Sequence, residues 1–150
     1  MSRVVLLDTG PLGQITNPKV TPANTACVQW YQALIAGGTR IIVPEIADYE
    51  IRRELLRANK MPGIARLDSL IQTVEYLPIT TAAMRQAAMF WAQARQQGQP
   101  TASDKTIDGD MILVAQAVSL AVPDLVIATT NVGHLDRFAA AELWQNIAPS

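Results

Sequence analysis

Three short apolar, largely β-branched runs, residues 3–7, 40–43 and 125–129, show no polar–apolar alternation. A strand wetted on one face alternates with period two. These runs therefore predict strands buried on both faces, the pattern of a parallel sheet. Residues 74–77 and 142–147 are weaker strand candidates. Between the strands the apolar positions repeat with helical period. Over 21–36 they fall at Ala23, Ala26, Cys27, Trp30, Leu34 and Ile35, and Gly37-Gly38 ends the pattern. Residues 44–59 open with a proline suited to a first helical turn and align Ala47, Ile51, Leu55 and Ala58. Pro62 opens a further helix to residue 73, an Ala/Gln-rich helix spans 80–97 before Gly98, and Thr106 or Asp108 caps a helix running to 122. This alternation predicts a three-layer α/β/α sandwich around a central, mostly parallel sheet.

The length, 150 residues, suits one domain over 1–150, and no internal repeat or long linker divides it. With 5% aromatic residues, the core must come from Ala, Ile, Leu and Val, as expected for helices on a buried sheet. A single cysteine, Cys27, excludes an intrachain disulfide, and a single histidine, His134, leaves carboxylates as the main donors for any metal. The net charge of −1 argues against a broadly basic nucleic-acid-binding surface but allows a local basic strip. The apolar run after Arg3 is too short for a signal peptide, and the stretch 111–128 is broken by Gln116, Ser119, Pro123 and Asp124. The expectation is a soluble, cytoplasmic protein. The one polar, turn-rich stretch, 98–106, leads directly into an acidic group.

In open parallel sheets, ligands bind beyond the carboxyl ends of the strands. The first strand ends in Asp8-Thr9-Gly10 and the strand at 125–129 runs into Thr130-Asn131. The second strand leads into a helix with Glu45, Asp48, Glu50 and Glu54. The late helix carries Asp108-Gly109-Asp110, with Asp104 one turn earlier. Each acid also has a plain structural use: Asp8 as a turn cap, Glu50 as a solvated helix residue, and Asp108 or Asp110 as a helix cap. Asn131 suits a turn. Asp108 and Asp110 are two apart, so one helix cannot point both the same way. Gathered together, the acids call for a cation. Two unit charges ~4 Å apart repel by roughly 1 kcal/mol in water and about 4 kcal/mol at an effective dielectric of ~20. Oxygen-only ligands select Mg²⁺ or Mn²⁺ over zinc.

The segments VVLLDTGPL, PEIADYEIRREL, DGDMILVAQAVSL and IATTNVGHLDRF occur in this order and span most of the chain. In that order and spacing the chain resembles PIN-domain ribonucleases, and among them the VapC-type toxins of toxin–antitoxin pairs. The resemblance implies a PIN-like sandwich in which Asp8, Glu50 and Asp110 are the catalytic carboxylates and hold Mg²⁺ or Mn²⁺. Asp110 matches the family's acid better than Asp108, which remains an additional ligand candidate. Asn131 stands where some members have Asp, which keeps an oxygen ligand but removes a charge and favours one metal over two. Thr129 and Asp136 are lesser candidates for contacts to a ligand or a coordinated water, and Glu45 is the rival of Glu50. The implied reaction is metal-assisted hydrolysis of an RNA phosphodiester, leaving a 5′-phosphate and a 3′-hydroxyl. In it Glu50 orients or deprotonates the attacking water or completes the metal shell. An antitoxin partner and a homodimer are implied on the same basis.

Arg53, Arg57 and Lys60 fall at i, i+4 and i+7 and form an expected RNA-contacting strip on the helix of Glu50, with Arg52 beside them. A solvated face paired with Glu50 and Glu54 is the alternative. Trp30, Phe90 and Trp91 read as core or dimer packing, Tyr49 as packing before base stacking, His134 as a loop residue and Cys27 as buried and inert. Keeping the fold without the enzyme gives the second functional reading, a PIN-like module that binds RNA or protein and does not cut. A haloacid-dehalogenase-type phosphatase needs a second Asp two residues after the first, where this chain has Gly10.

Overall fold

A computed structural model describes residues 3–97 and 104–149, with side chains described except at 104–107. The chain runs β1 (Val4–Leu7), α1 (Thr9–Thr16), α2 (Pro22–Ala36), β2 (Arg40–Pro44), α3 (Glu45–Arg57), α4 (Met61–Thr73), β3 (Glu75–Leu77), α5 (Thr81–Gln96), α6 (Asp104–Ser119), β4 (Leu125–Thr129) and β5 (Ala141–Leu143). The strands form one sheet in the order β3-β2-β1-β4-β5. Every pairing is parallel, with Val5 opposite Ile41 on one side and Val126 on the other. All four β1 residues are fully buried. Val4 and Leu6 pack under α5 and α6, whereas Val5 and Leu7 pack under α1, α2 and α4. This two-sided burial is the physical reason the strand lacks alternation. Among the described residues no helix is long and apolar enough to cross a membrane.

Four departures from the sequence expectation matter for the site. Residues 9–16 (TGPLGQIT) form α1, an unexpected helix, because two glycines and a proline give poor intrinsic propensity. Burial of Pro11, Leu12, Ile15 and Thr16 holds it instead. Helix α3 stops at Arg57, where Asn59 turns the chain at φ 57° and Lys60 N–H closes onto Leu55 C=O at 2.8 Å. Lys60 therefore leaves the stripe of Arg53 and Arg57 and precedes α4. Helix α6 starts at Asp104, so Thr106 and Asp108 lie within it rather than capping it. The last strand is only Ala141–Leu143, and a 3-10 turn at Trp144–Asn146 follows. There Trp144 stacks at 5.4 Å on Trp30, whose indole N–H donates to Ile147 C=O at 2.9 Å. Residues 98–103 of the polar stretch lie outside the described residues.

Polar clamps fix the start of α3 against its neighbours. Gln116 on α6 is fully buried; it accepts from Ile46 N–H at 3.2 Å and donates to Leu77 C=O at 2.8 Å. Glu45 accepts from Ile79 N–H at 2.7 Å. Asp48, 8% exposed, accepts from Tyr76 Oη at 2.8 Å and pairs with Arg52 at 3.0 Å, and Arg52 also reaches Asp68 on α4 at 2.8 Å. Replacing Gln116 with Leu leaves the buried Ile46 N–H and the part-buried Leu77 C=O without their partner and is expected to cost about 3 kcal/mol in urea unfolding. A loss below about 1 kcal/mol would show that the clamp is not needed.

Candidate active site

The sheet order reverses direction between β1 and β4, and the candidate acids gather at the carboxyl edge there. Asp8 follows β1 directly and is the N-cap of α1. Its Oδ1 accepts from Thr9 N–H at 2.7 Å, and its Oδ2 accepts from Thr129 Oγ1 at 2.8 Å. Thr129 is the last residue of β4 and is 1% exposed. Adjacent parallel strands thus place a carboxylate and its hydroxyl donor side by side. Thr9 Oγ1 then donates to Glu50 Oε1 at 3.0 Å, which links α1 to α3. Asp8 is both cap and site residue.

Two glycines allow this closeness. A Cβ on Gly109 would lie 2.5 Å from Glu50 Oε2, so a side chain there would displace the Glu50 carboxylate from its present position. A Cβ on Gly10 would lie 2.5 Å from Thr130 Oγ1, where the first turn of α1 crosses the exit of β4. Asp110, next to Gly109, comes within the electrostatic reach of both Asp8 and Glu50. Burial pushes its carboxyl up to about 7, helped by the charges of Asp8 and Glu50. Burial also raises Asp8, against the lowering hydrogen bonds of Thr129 and Thr9. It raises Glu50, with Asp8 adding to the rise and Thr9 and Arg53 opposing it.

The other predicted residues fall into distinct places. Asp108 is exposed and lines a cavity between α5 and α6 with Met84, Trp91 and Met111, turned away from the other acids by the two-residue spacing. Asn131 is exposed, its N–H donates to Thr129 Oγ1 at 3.1 Å, and its Oδ1 sits 3.8 Å from the Cβ position of Gly133. Glu45 is committed to Ile79 N–H. Arg53 lies at the rim of the acids, 4.0 Å from Glu50 Oε2 and 5.1 Å over the exposed Tyr49 ring. Arg57 pairs with Glu54 at 2.9 Å. Trp30 and Phe90 are buried, but Trp91 is 38% exposed with Arg95 over its ring at 4.8 Å. Cys27 is fully buried, and burial pushes its thiol up to about 12. Sequence reasoning missed the roles of Thr9, Gly10 and Gly109. Their signal was the Asp-Thr-Gly and Asp-Gly-Asp triplets, with small residues beside the acids.

Asp8 and Asp110 have no ion pair among the described residues. The donors there are all oxygen, which fits Mg²⁺ or Mn²⁺. Among the described residues no three His, Cys, Asp or Glu side chains already stand as a finished metal cage. Both Asp8 oxygens and one Glu50 oxygen are turned to Thr9 and Thr129 instead. That arrangement suits an ion that keeps several waters and takes one or two carboxylates directly. The raised carboxyls also set the pH behaviour of the chelator-treated protein. Between 3.8 and about 7 the folded Asp110 holds a proton that the unfolded chain has released. Its stabilising contribution is therefore full at acid pH and is lost as pH rises towards 7. In EDTA, Asp110→Asn should raise the melting temperature at neutral pH and flatten its fall with rising pH, read by scanning fluorimetry. An unchanged slope would remove Asp110 from the coupled cluster.

No protein-family model matches the chain, and no curated protein matches it by sequence. Solved structures do match its fold. A chain of VapBC2 from Rickettsia felis, bound to a DNA fragment from their promoter, is 15% identical with a TM-score of 0.71, covering 94% of this chain and 98% of that one. A chain of FitAcB from Neisseria gonorrhoeae is 20% identical with a TM-score of 0.71, covering 95% of this chain and 99% of that one. VapBC-5 from Mycobacterium tuberculosis, described as a member of the VapBC family of toxin-antitoxin systems, is 20% identical with a TM-score of 0.57, covering 93% and 96%. At these identities the likeness is one of architecture: the chain has the α/β sandwich fold found in chains of the VapBC and FitAcB complexes.

Proposed function

We propose that the chain is a Mg²⁺- or Mn²⁺-dependent endoribonuclease, the toxin of a toxin–antitoxin pair working in the cytoplasm. One observation carries the reading. Asp8, Glu50 and Asp110, from three separate elements, gather at one edge of a parallel sheet, where the charge of Asp8 raises both of the others and that of Glu50 raises Asp110. The shared fold with chains of VapBC complexes supports the toxin role and an antitoxin partner. A homodimer belongs to the same reading.

Asp8 and Asp110 would hold the ion, with Glu50 completing the acidic set. When bound, the metal supplies a water of lowered pKa and offsets charge on the scissile phosphate. The protein's own residues do the rest. Thr129 and Thr9 keep Asp8 in one orientation by donating to opposite oxygens. Because Thr9 Oγ1 donates to Glu50 Oε1, Glu50 Oε2 is the oxygen available to orient the attacking water and take its proton. Asp110 would hold the ion as its carboxylate, so binding the ion would release a proton and metal affinity should fall as pH is lowered. Arg53, at the rim, meets the RNA phosphate. Arg57 reaches a neighbouring phosphate by exchanging its exposed Glu54 pair, a weak contact in water. Asn131 and Asp108 take at most an outer part, given their exposure.

With mixed cellular RNA and Mn²⁺, the protein should cleave and Asp8→Ala should lose about a hundredfold or more of the rate. Equal cleavage by both proteins would sink the assignment. Arg53→Glu with Arg57→Glu should weaken RNA binding and flatten its salt dependence by a slope of roughly 1 to 1.5. An unchanged slope would remove the strip from the RNA path.

A further inference from the structure

Helix α5 is apolar on more than the side it buries. Ala83, Ala87, Phe90 and Ala94 face inward and join the core with Val4 and Leu6. A helix resting on one layer needs apolar residues on that side only. Yet Met84, Met89 and Trp91 are 46%, 56% and 38% exposed. Single exposed apolar residues are ordinary, but three large ones on one helix make a patch. Met84, Ala88 and Ala92 form one i±4 ridge, the kind that interdigitates in the commonest helix–helix crossing. Ala88 is exposed, so a second backbone can approach closely there. Beside the patch a cavity of about 370 Å³ opens between α5 and α6, walled by Met84, Ala88, Trp91, Met111 and Ile112. Among the described residues, Asp108 is the only charged one in its wall.

Two charges frame the patch. Arg85 on α5 and Asp108 on α6 are both exposed, and neither makes an ion pair among the described residues. Elsewhere on the surface such charges find partners nearby, as Arg40 does in Glu75 and Arg57 in Glu54. Here one cation and one anion share a face without meeting. A nucleic acid finds no surplus of positive charge on it. A face with one charge of each sign is instead complementary to itself. In a two-fold contact each surface meets its own copy, so a pairing made once is made twice.

We propose that two copies of the chain pack through this face, with the two α5 helices crossing at Ala88 and Arg85 of each copy pairing with the partner's Asp108. Met84, Met89 and Trp91 supply the apolar centre of the contact. The inference rests on the homodimer of the reading above and assigns it a surface. It also gives Asp108 a use. The two-residue spacing that turns Asp108 away from the acids of the site turns it toward the second copy, so the contact and the acid edge occupy different sides of α6.

The test is the mass of the full chain in solution, read by light scattering on a size-exclusion column over a dilution series. Circular dichroism checks that each variant is folded. The native chain should run at twice the mass of the chain and dissociate on dilution. Arg85→Glu or Asp108→Arg alone sets like charges against each other at both pairings and should raise the dimer dissociation constant about tenfold or more. Combining the two exchanges restores opposite charges and should recover the native dimer, which a mere loss of folding would not allow. Met84→Glu places a charge in the apolar centre and should leave a monomer. A native chain that is monomeric throughout the series overturns the surface. So does a dimer that none of these substitutions weakens, or one that the combined exchange fails to recover. Each of those results leaves the nuclease standing if RNA is still cut. A dimer recovered by the combined exchange in a protein that cuts no RNA keeps the surface and removes the nuclease.

Discussion

The structure is organised around three carboxylates that must share one partly buried edge. Burial and mutual repulsion both disfavour their charged forms. The fold answers with neutral donors: Thr129 and the Thr9 amide on Asp8, and the Thr9 hydroxyl on Glu50. Such donors satisfy lone pairs without cancelling charge, so the negative potential survives. Asp48, two residues from Glu50 on the same helix, shows the opposite treatment. It is buried too, but Arg52 and Tyr76 neutralise and saturate it. One helix therefore carries a carboxylate that is a finished structural tie and another that accepts only from the Thr9 hydroxyl and lies 4.0 Å from Arg53.

This division depends on α3 being held firmly. Gln116, Glu45 and the Asp48–Arg52–Asp68 group tie the helix to α6, to the segment after β3 and to α4. With α3 fixed at one end, the Glu50 carboxylate lies directly against the Gly109 position of α6. Precise placement of Glu50 is thus distributed among residues that never face the site.

Much of this was legible in the chain. The strand at 125–129 was read with its observed limits, because a run buried on both faces has an unambiguous pattern. The acids of the core set could be found from their position after strands and from the family resemblance. What the sequence hid was whatever depends on long-range packing. Helix α1 has weak local propensity and exists because Leu12 and Ile15 are covered by the core. Lys60 looked helical until the left-handed turn at Asn59 carried it away. Asp108 and Asp110 were distinguishable only to the extent that one must turn aside. Thr9 is an ordinary residue until its distant partner Glu50 is known, and Thr129, a lesser candidate from the sequence, gains a definite partner only with Asp8 beside it.

The order of the strands has a consequence for how the chain acquires its chemistry. Strand β1 is central, and the hydroxyl that holds Asp8 arrives 121 residues later on β4. Such a non-local pairing forms late, and a chain made from its N-terminus presents β1 long before β4. Asp8 is therefore synthesised early but finds its geometry only when the distant strand has emerged and docked. The carboxylate cluster is complete only when the chain is nearly finished: the strand order acts as a timer on its assembly.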